Sequence, residues 1–380
     1  MRRSLSAPGG STSRPVGTLA PVPAPFPTLR VAPVPASLQS VGERVDTRIL
    51  ALLDEELARW TAVDPELGEP LGALRSLIAA GGKRLRPAFC HWAFVGVGGD
   101  PDDARVADAG AALELLHTFA LVHDDVMDGS DQRRGMPSVH RYFVDLHDAM
   151  GWSADSRRSG EGAAILVGDF AFVYADQLLG EVPASARRIF DELRIELCVG
   201  QYLDLVGTAS ASRDPVQATR IERYKSGKYT VERPLHLGAA LAGADGPVFD
   251  ALTAVGLPLG EAFQLRDDLL GVFGDESVTG KPVGDDLREG KLTPLVAAAT
   301  ARADAAGRAL LDRLGSPTLG AAEIAAVQTL FVESGACDEI EARIEIQVEE
   351  ALTALDRAPI TDDARVALAE LARFAAWRDR

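Results

Sequence analysis

From about residue 40 to the C-terminus, apolar residues recur three and four positions apart, the period of a helix with one buried face. In 41–62 they are Val45, Ile49, Leu52, Leu53 and Leu57. The same pattern predicts helices over 71–80, 87–97, 103–128, 162–179, 185–206, 220–243, 247–272, 291–305, 321–334, 338–357 and 362–377. Pro65 and the Gly81-Gly82 pair punctuate the early ones. Runs of alternating β-branched residues are missing, and no internal repeat is evident. The pattern predicts an all-α chain, a single-domain bundle of long helices over 39–380. Loops are expected near 129–160 and 274–290. Residues 1–38, rich in Pro, Ala, Ser and Gly, lack the composition to build a core and read as a disordered tail.

Composition narrows the class. The chain has 380 residues, 47% of them hydrophobic, ample for a core, and a formal charge of −17, which argues against nucleic acid as a partner. Cys90, Cys198 and Cys337 are far apart, with no CxxC spacing, so neither a disulfide framework nor a zinc site is expected. Met1-Arg2-Arg3 opens like a secretion signal, but prolines from Pro8 onward replace the apolar core such a signal needs. No run approaches the ~18 apolar residues of a membrane span. The expectation is a soluble, cytoplasmic protein without a membrane span.

Charge placement says more than charge total. Two aspartate clusters, Asp124-Asp125-Val126-Met127-Asp128 and Asp267-Asp268-Leu269-Leu270-Gly271, sit in apolar, helix-favouring stretches. Carboxylates are costly to bury there unpaired. On a helix Asp124 and Asp128 are i and i+4, one turn apart on one face, and repel each other unless a cation lies between them. Oxygen-only ligands suit Mg²⁺, which commonly keeps waters and is completed by substrate phosphates. A phosphate-bearing ligand needs cations, and the chain supplies them near glycines: Gly81-Gly82-Lys83-Arg84-Leu85-Arg86-Pro87, Arg133-Arg134-Gly135, then Lys225, Lys228, Lys281 and Lys291.

These segments, together with Glu114-Leu115-Leu116-His117, Tyr224-Lys225-Ser226 and Phe263-Gln264-Leu265-Arg266-Asp267-Asp268, resemble the trans-isoprenyl diphosphate synthases, or polyprenyl synthetases. The resemblance runs from about residue 45 to the C-terminus, nearest the actinobacterial geranylgeranyl diphosphate synthases. It implies antiparallel helices around a central apolar cavity and a Mg²⁺-dependent, head-to-tail condensation of isopentenyl diphosphate with dimethylallyl, geranyl or farnesyl diphosphate. By resemblance, Asp124 and Asp128 ligate two Mg²⁺ ions with Asp125 in support, and Asp267, helped by Asp268, holds a third. Arg133, Lys225 and Lys281 hold the allylic diphosphate, with Ser226 beside them. Gly82, Lys83, Arg86, His117 and Arg134 bind isopentenyl diphosphate. Gln264 lies near the developing cation, Lys291 caps the closed site, and a homodimer is expected.

One position departs from the family pattern. The second cluster usually ends in Asp, and here it ends in Gly271, which leaves Asp285 or Asp286 of the following segment as a further carboxylate source. Product length turns on residues one turn before Asp124. Ala120 leaves room where a large residue would raise the floor, and Phe119 accompanies medium chain lengths in the family, so C20 geranylgeranyl diphosphate is expected over C15 farnesyl diphosphate. A class I terpene cyclase shares the metals but needs only one diphosphate site. A non-catalytic synthase subunit would lose an aspartate cluster. A metal phosphohydrolase, hinted at by His123-Asp124, would need further histidine ligands, and the chain has 6 histidines in all.

Overall fold

The computed structural model describes residues 31–210, 214–274, 284–291, 293–316 and 318–378, so Lys281 lies outside the described residues. They are almost wholly helical: α1 (Ala36–Thr61), α2 (Gly68–Ala79), α3 (Leu85–Gly96), α4 (Ala104–Asp128), α5 (Val139–Ala149), α6 (Ser156–Leu179), α7 (Ala184–Ala209), α8 (Pro215–Glu222), α9 (Arg233–Leu241), α10 (Gly246–Phe273), α11 (Asp285–Glu289), α12 (Pro294–Arg302), α13 (Ala305–Leu311), α14 (Ala321–Glu333), α15 (Ala336–Arg357) and α16 (Asp362–Ala376).

Helix α4 is the hub. Ala109 to Leu116 are buried without a gap, so the helix has no solvent face there and must be surrounded. It packs along α6, α3 and α1. Asp103 starts it, accepting the Arg105 N–H at 2.8 Å. Gly129, at φ 67°, ends it in the left-handed region. Helix α10 is the hub of the other half, packed along α15 and a π-helical stretch, Arg223–Glu232, that joins α8 to α9. Leu265, Leu269 and Val272 of α10 share a second apolar cluster with Leu295, Val327 and Ile344.

Three expectations need correction. The 129–160 region is not a loop. It carries a two-stranded hairpin, Gln132–Arg133 with Met136–Pro137, and then α5. The buried face of α5 is made by Val139, His140, Val144 and His147, and the imidazoles hid its period. Helix α6 begins at Ser156, not 162, because the Asp155 side chain caps a polar first turn by accepting the Arg158 N–H at 3.0 Å. The helix expected over 291–305 starts at Pro294, capped by the Thr293 hydroxyl, so Lys291 stands in the turn before it. At the N-terminus α1 starts at Ala36 with Leu38 already buried, and the Ala32 N–H donates to the Trp377 carbonyl at 2.7 Å. Residues 1–30 of the expected tail lie outside the described residues.

Helix α6 is long and apolar enough to cross a membrane, the one such helix among the described residues, yet it packs along α4 and α5 as a bundle element.

Candidate active site

Both aspartate clusters fall in the last turns of their helices, α4 and α10. A helix C-terminus carries partial negative charge, so aspartates there are disfavoured unless cations face them. Asp124 is held above its usual range by burial, opposed by Lys225 and reinforced by Asp128. Asp125 is buried and paired with Arg133, whose Nε donates to Oδ1 at 3.0 Å. The hairpin makes that pairing possible. Arg134 and Gly135 form its two-residue turn, both at positive φ (54° and 72°), the geometry that matches strand twist. Arg133 is thereby returned to the end of α4, while the Arg134 guanidinium reaches the Leu77 carbonyl at 2.8 Å.

Lys225 comes from the π-helical stretch, wedged between α7 and α10. A Cβ on Gly200 of α7 would lie 2.3 Å from the Lys225 backbone nitrogen, and one on Gly260 of α10 would lie 2.6 Å from the Gly227 carbonyl oxygen. Only glycine allows these approaches. The Lys225 ammonium contacts Asp204 at 2.5 Å, with its pKa lowered by burial but raised more by Asp124 and Asp204. Ser226 is beside it, half-buried. Lys228 is turned to other work, paired with Glu196 at 2.5 Å in a network that includes Arg233. Lys291 joins the two halves: its ammonium lies 3.4 Å from Asp128, 3.3 Å from Asp286 and 2.5 Å from Glu289. The Ser130 hydroxyl donates to Glu289 at 3.1 Å and ties the end of α4 to α11.

A second cationic set gathers beside the first. Arg84 is a buried pedestal at φ 52°, bonded to Asp46 at 2.6 Å and Glu114 at 2.5 Å. Gly82 lets two guanidiniums close in, since a Cβ there would lie 2.4 Å from the Arg84 nitrogen and 2.9 Å from that of Arg134. Arg86 lies over the Tyr229 ring at 4.2 Å and donates to the Thr230 hydroxyl at 2.8 Å, while its Nε has no partner. His117 is held neutral, its pKa driven well down by burial and by Arg86 and Arg134, and its buried Nδ1 has no partner. Lys83 borders this set, partly buried. Unsatisfied donors on a convergent, positively charged face fit an anion.

The second cluster is assembled from afar. Asp267, its side chain 39% exposed, pairs with Arg378 of the C-terminus, which is fully buried over the Phe263 ring. Asp268 accepts the Gln264 amide at 2.9 Å and shares a hydrogen bond with the Glu222 carboxyl. Burial, with Asp286 and Asp267 nearby, pushes Asp268 up to about 7. Glu222 of α8 is raised well above its usual range by burial and by the charge of Asp268, with whose carboxyl it shares a hydrogen bond. Among the described residues no three such groups converge tightly enough to chelate a metal unaided. Asp124 and Asp128, part-buried and one turn apart at the end of α4, still fit Mg²⁺, an ion that keeps waters and takes phosphate oxygens.

Below the first cluster, Phe119 stacks against His123 (4.6 Å) and Phe172 (5.0 Å), and Ala120 is half-buried against the core. The sequence reading missed Asp204, Glu222, Glu289 and Arg378. Asp204 and Glu222 were readable only as single carboxylates on otherwise apolar helix faces. Glu289 and Arg378 carried no local signal.

Comparisons with known proteins identify the family. The polyprenyl synthetase family matches residues 70–330, and the chain belongs to that family. It is a prenyltransferase, a trans-prenyl diphosphate synthase. It is 33% identical over 320 residues to the geranylfarnesyl diphosphate synthase of Aeropyrum pernix, covering 82% of this chain and 94% of that one. It is 32% identical over 348 residues to a (2E,6E)-farnesyl diphosphate synthase of Mycobacterium bovis, covering 89% and 88%. The crystal structure of a Corynebacterium glutamicum geranylgeranyl pyrophosphate synthase, complexed with isoprenyl diphosphate and magnesium, superposes with a TM-score of 0.84 at 36% identity, covering 91% of this chain and 99% of that one. The family is magnesium-dependent and uses isopentenyl and allylic diphosphates.

Proposed function

We propose that the chain makes geranylgeranyl diphosphate, C20, by adding isopentenyl diphosphate head-to-tail to dimethylallyl, geranyl and farnesyl diphosphates. The observation that carries the product length is Ala120, a single methyl one turn before Asp124. A turn of helix is ~5.4 Å, about one isoprene unit, so a small residue there leaves depth for a longer chain. Phe119, packed on Phe172 and His123, supports a limit on further growth.

The roles follow the two cationic sets. Asp124 and Asp128 would hold two Mg²⁺ ions, and Asp267 with Asp268 a third. When bound, magnesium neutralises the allylic diphosphate and makes it a leaving group. Lys225, Arg133 and Lys291 add fixed positive charge around that diphosphate, and Asp125 holds Arg133 in place. Lys281, beyond the described residues, is proposed to join them on the strength of the resemblance. Gly82, Lys83, Arg86, His117 and Arg134 hold isopentenyl diphosphate so that its double bond faces C1 of the allylic partner. The C1–O bond breaks, the double bond attacks the resulting allylic cation, and a proton passes to the departing diphosphate. Gln264, whose amide nitrogen donates to Asp268, is proposed to offer its amide oxygen to the developing charge.

We also propose a homodimer. Ile165, Leu166 and Val173 on α6 and Ile195, Val199 and Tyr202 on α7 are large apolar side chains left exposed. Light scattering of the purified protein tests this, with a monomer mass as the contrary result. For the product, each allylic primer is supplied separately with isopentenyl diphosphate and the products are separated by chromatography. Accumulation at C20 from all three primers is expected, and termination at C15 or C25 would overturn the assignment.

A further inference from the structure

His123 directly precedes the first aspartate cluster, yet its side chain leaves the face that carries Asp124 and Asp128. Asp124 interacts with Lys225 and Asp128 with Lys291. Successive helical residues are about 100° apart, and that step carries the His123 imidazole round α4 to meet α6. Its Nε2 lies 3.0 Å from the Ile165 carbonyl oxygen. A carbonyl can only accept, so Nε2 carries the proton and donates. The ring also stands edge-on to Phe119, one turn back on α4, with centroids 4.6 Å apart.

Helix α6 is shaped to take that ring. A Cβ on Gly168 would lie 2.3 Å from both Cδ2 and Nε2 of His123, so the imidazole rests on bare backbone there. Glycine inside a helix is less favourable than alanine, and Gly168 is buried in the middle of α6. The imidazole accounts for it: a side chain at 168 would push the ring off the Ile165 carbonyl.

The last turn of α4 is held from several sides. Arg133 of the hairpin pairs with Asp125, and Glu289 of the five-residue α11 accepts the Ser130 hydroxyl. Those partners lie in short segments, whereas His123 bonds to a 24-residue helix packed along α4. Groups that together hold a metal and a diphosphate must be placed to within about 0.5 Å. From these observations we infer that His123 is a positioning residue for the condensation. Seated in the Gly168 notch, it fixes the rotation of the last turn of α4 and so aims Asp124 and Asp128 at the allylic diphosphate.

This inference rests on the magnesium-dependent diphosphate reading, and one set of measurements separates the two. Steady-state kinetics with farnesyl and isopentenyl diphosphates are compared with calorimetric binding of inorganic pyrophosphate in Mg²⁺. Gly168→Ala, a change that favours helix, is expected to raise KM for farnesyl diphosphate about tenfold and to weaken pyrophosphate binding equally, the scale of losing an orienting contact. KM for isopentenyl diphosphate is expected to stay unchanged. His123→Ala is expected to match Gly168→Ala. The double variant should be no worse than His123→Ala alone, because the added methyl then meets no ring. His123→Gln is expected to stay near wild type, since its amide nitrogen can reach the Ile165 carbonyl. Gly168→Ala and His123→Gln decide the matter even where His123→Ala fails to fold. An unchanged KM for farnesyl diphosphate in Gly168→Ala would overturn the inference, as would equal rises in both KM values. So would additive losses in the double variant, or His123→Gln as impaired as Gly168→Ala. Wild-type protein that neither binds pyrophosphate in Mg²⁺ nor extends farnesyl diphosphate would instead overturn the underlying reading.

Discussion

The two aspartate clusters look alike in the sequence and are built differently. The α4 cluster is local: Asp124 and Asp128 follow from one helix, and Asp125 is tied by a hairpin only 8 residues away in sequence. The α10 cluster is a long-range assembly. Asp267 is paired with Arg378, 111 residues later, Asp268 meets Glu222 from α8, and Asp286 fills the space at Gly271. The first faces the ammonium groups of Lys225 and Lys291; the second has Asp267 paired with a buried guanidinium, Arg378, and Asp268 hydrogen-bonded to Glu222. Spacing within one helix can be read from sequence, whereas contacts that depend on how α8, α10, α11 and the C-terminus meet cannot.

That difference predicts unequal costs. Asp124→Asn should lower kcat/KM about 10²–10³-fold, the scale of removing one preorganised charge. It should also leave or raise the melting temperature of metal-free protein, because it removes a buried like charge. Asp267→Asn should cost less activity but lower the melting temperature, since it leaves the buried Arg378 guanidinium without its counter-charge. Equal melting temperatures for the two variants would erase the distinction. Arg378→Ala should destabilise by about 2–3 kcal/mol in urea unfolding, chiefly through packing lost over Phe263, with the pair to the part-exposed Asp267 contributing less.

The α10 side should also show in pH. Asp268 is pushed up to about 7 by burial and its carboxylate neighbours. An acid with a higher pKa folded than unfolded holds its proton more tightly when folded. Its contribution is therefore full below the unfolded value of ~4 and is lost as pH rises through 7. Metal-free protein is expected to lose melting temperature between pH 5 and pH 8. Glu222→Gln should flatten that profile; an unchanged slope would show that the buried pair does not govern it. The mildest change is expected from Ala120→Phe, with overall turnover near wild type but the product shifted from C20 toward C15. An unchanged product spectrum by chromatography would defeat the role of Ala120 as the floor.

Much of the fold was legible because the long helices carry strong apolar periodicity. Where that signal failed, imidazoles stood in for apolar residues in α5, and a capped polar turn hid the start of α6. The aspartates and the arginines near glycines were readable as charges at odds with apolar or glycine-rich surroundings. The structure then divides them: Arg84 becomes a pedestal for Glu114 and Asp46, while Arg86 and His117 keep unpaired nitrogens. Sequence could count those cations but could not tell which were already spent on internal partners.

The central claim is that one chain holds two diphosphates, one at each cationic set. Its most direct test is incubation of the purified protein alone with Mg²⁺, farnesyl diphosphate and labelled isopentenyl diphosphate, followed by product separation. Label is expected in a linear C20 diphosphate, dependent on both substrates. A hydrocarbon formed without isopentenyl diphosphate, or no turnover at all, would contradict it.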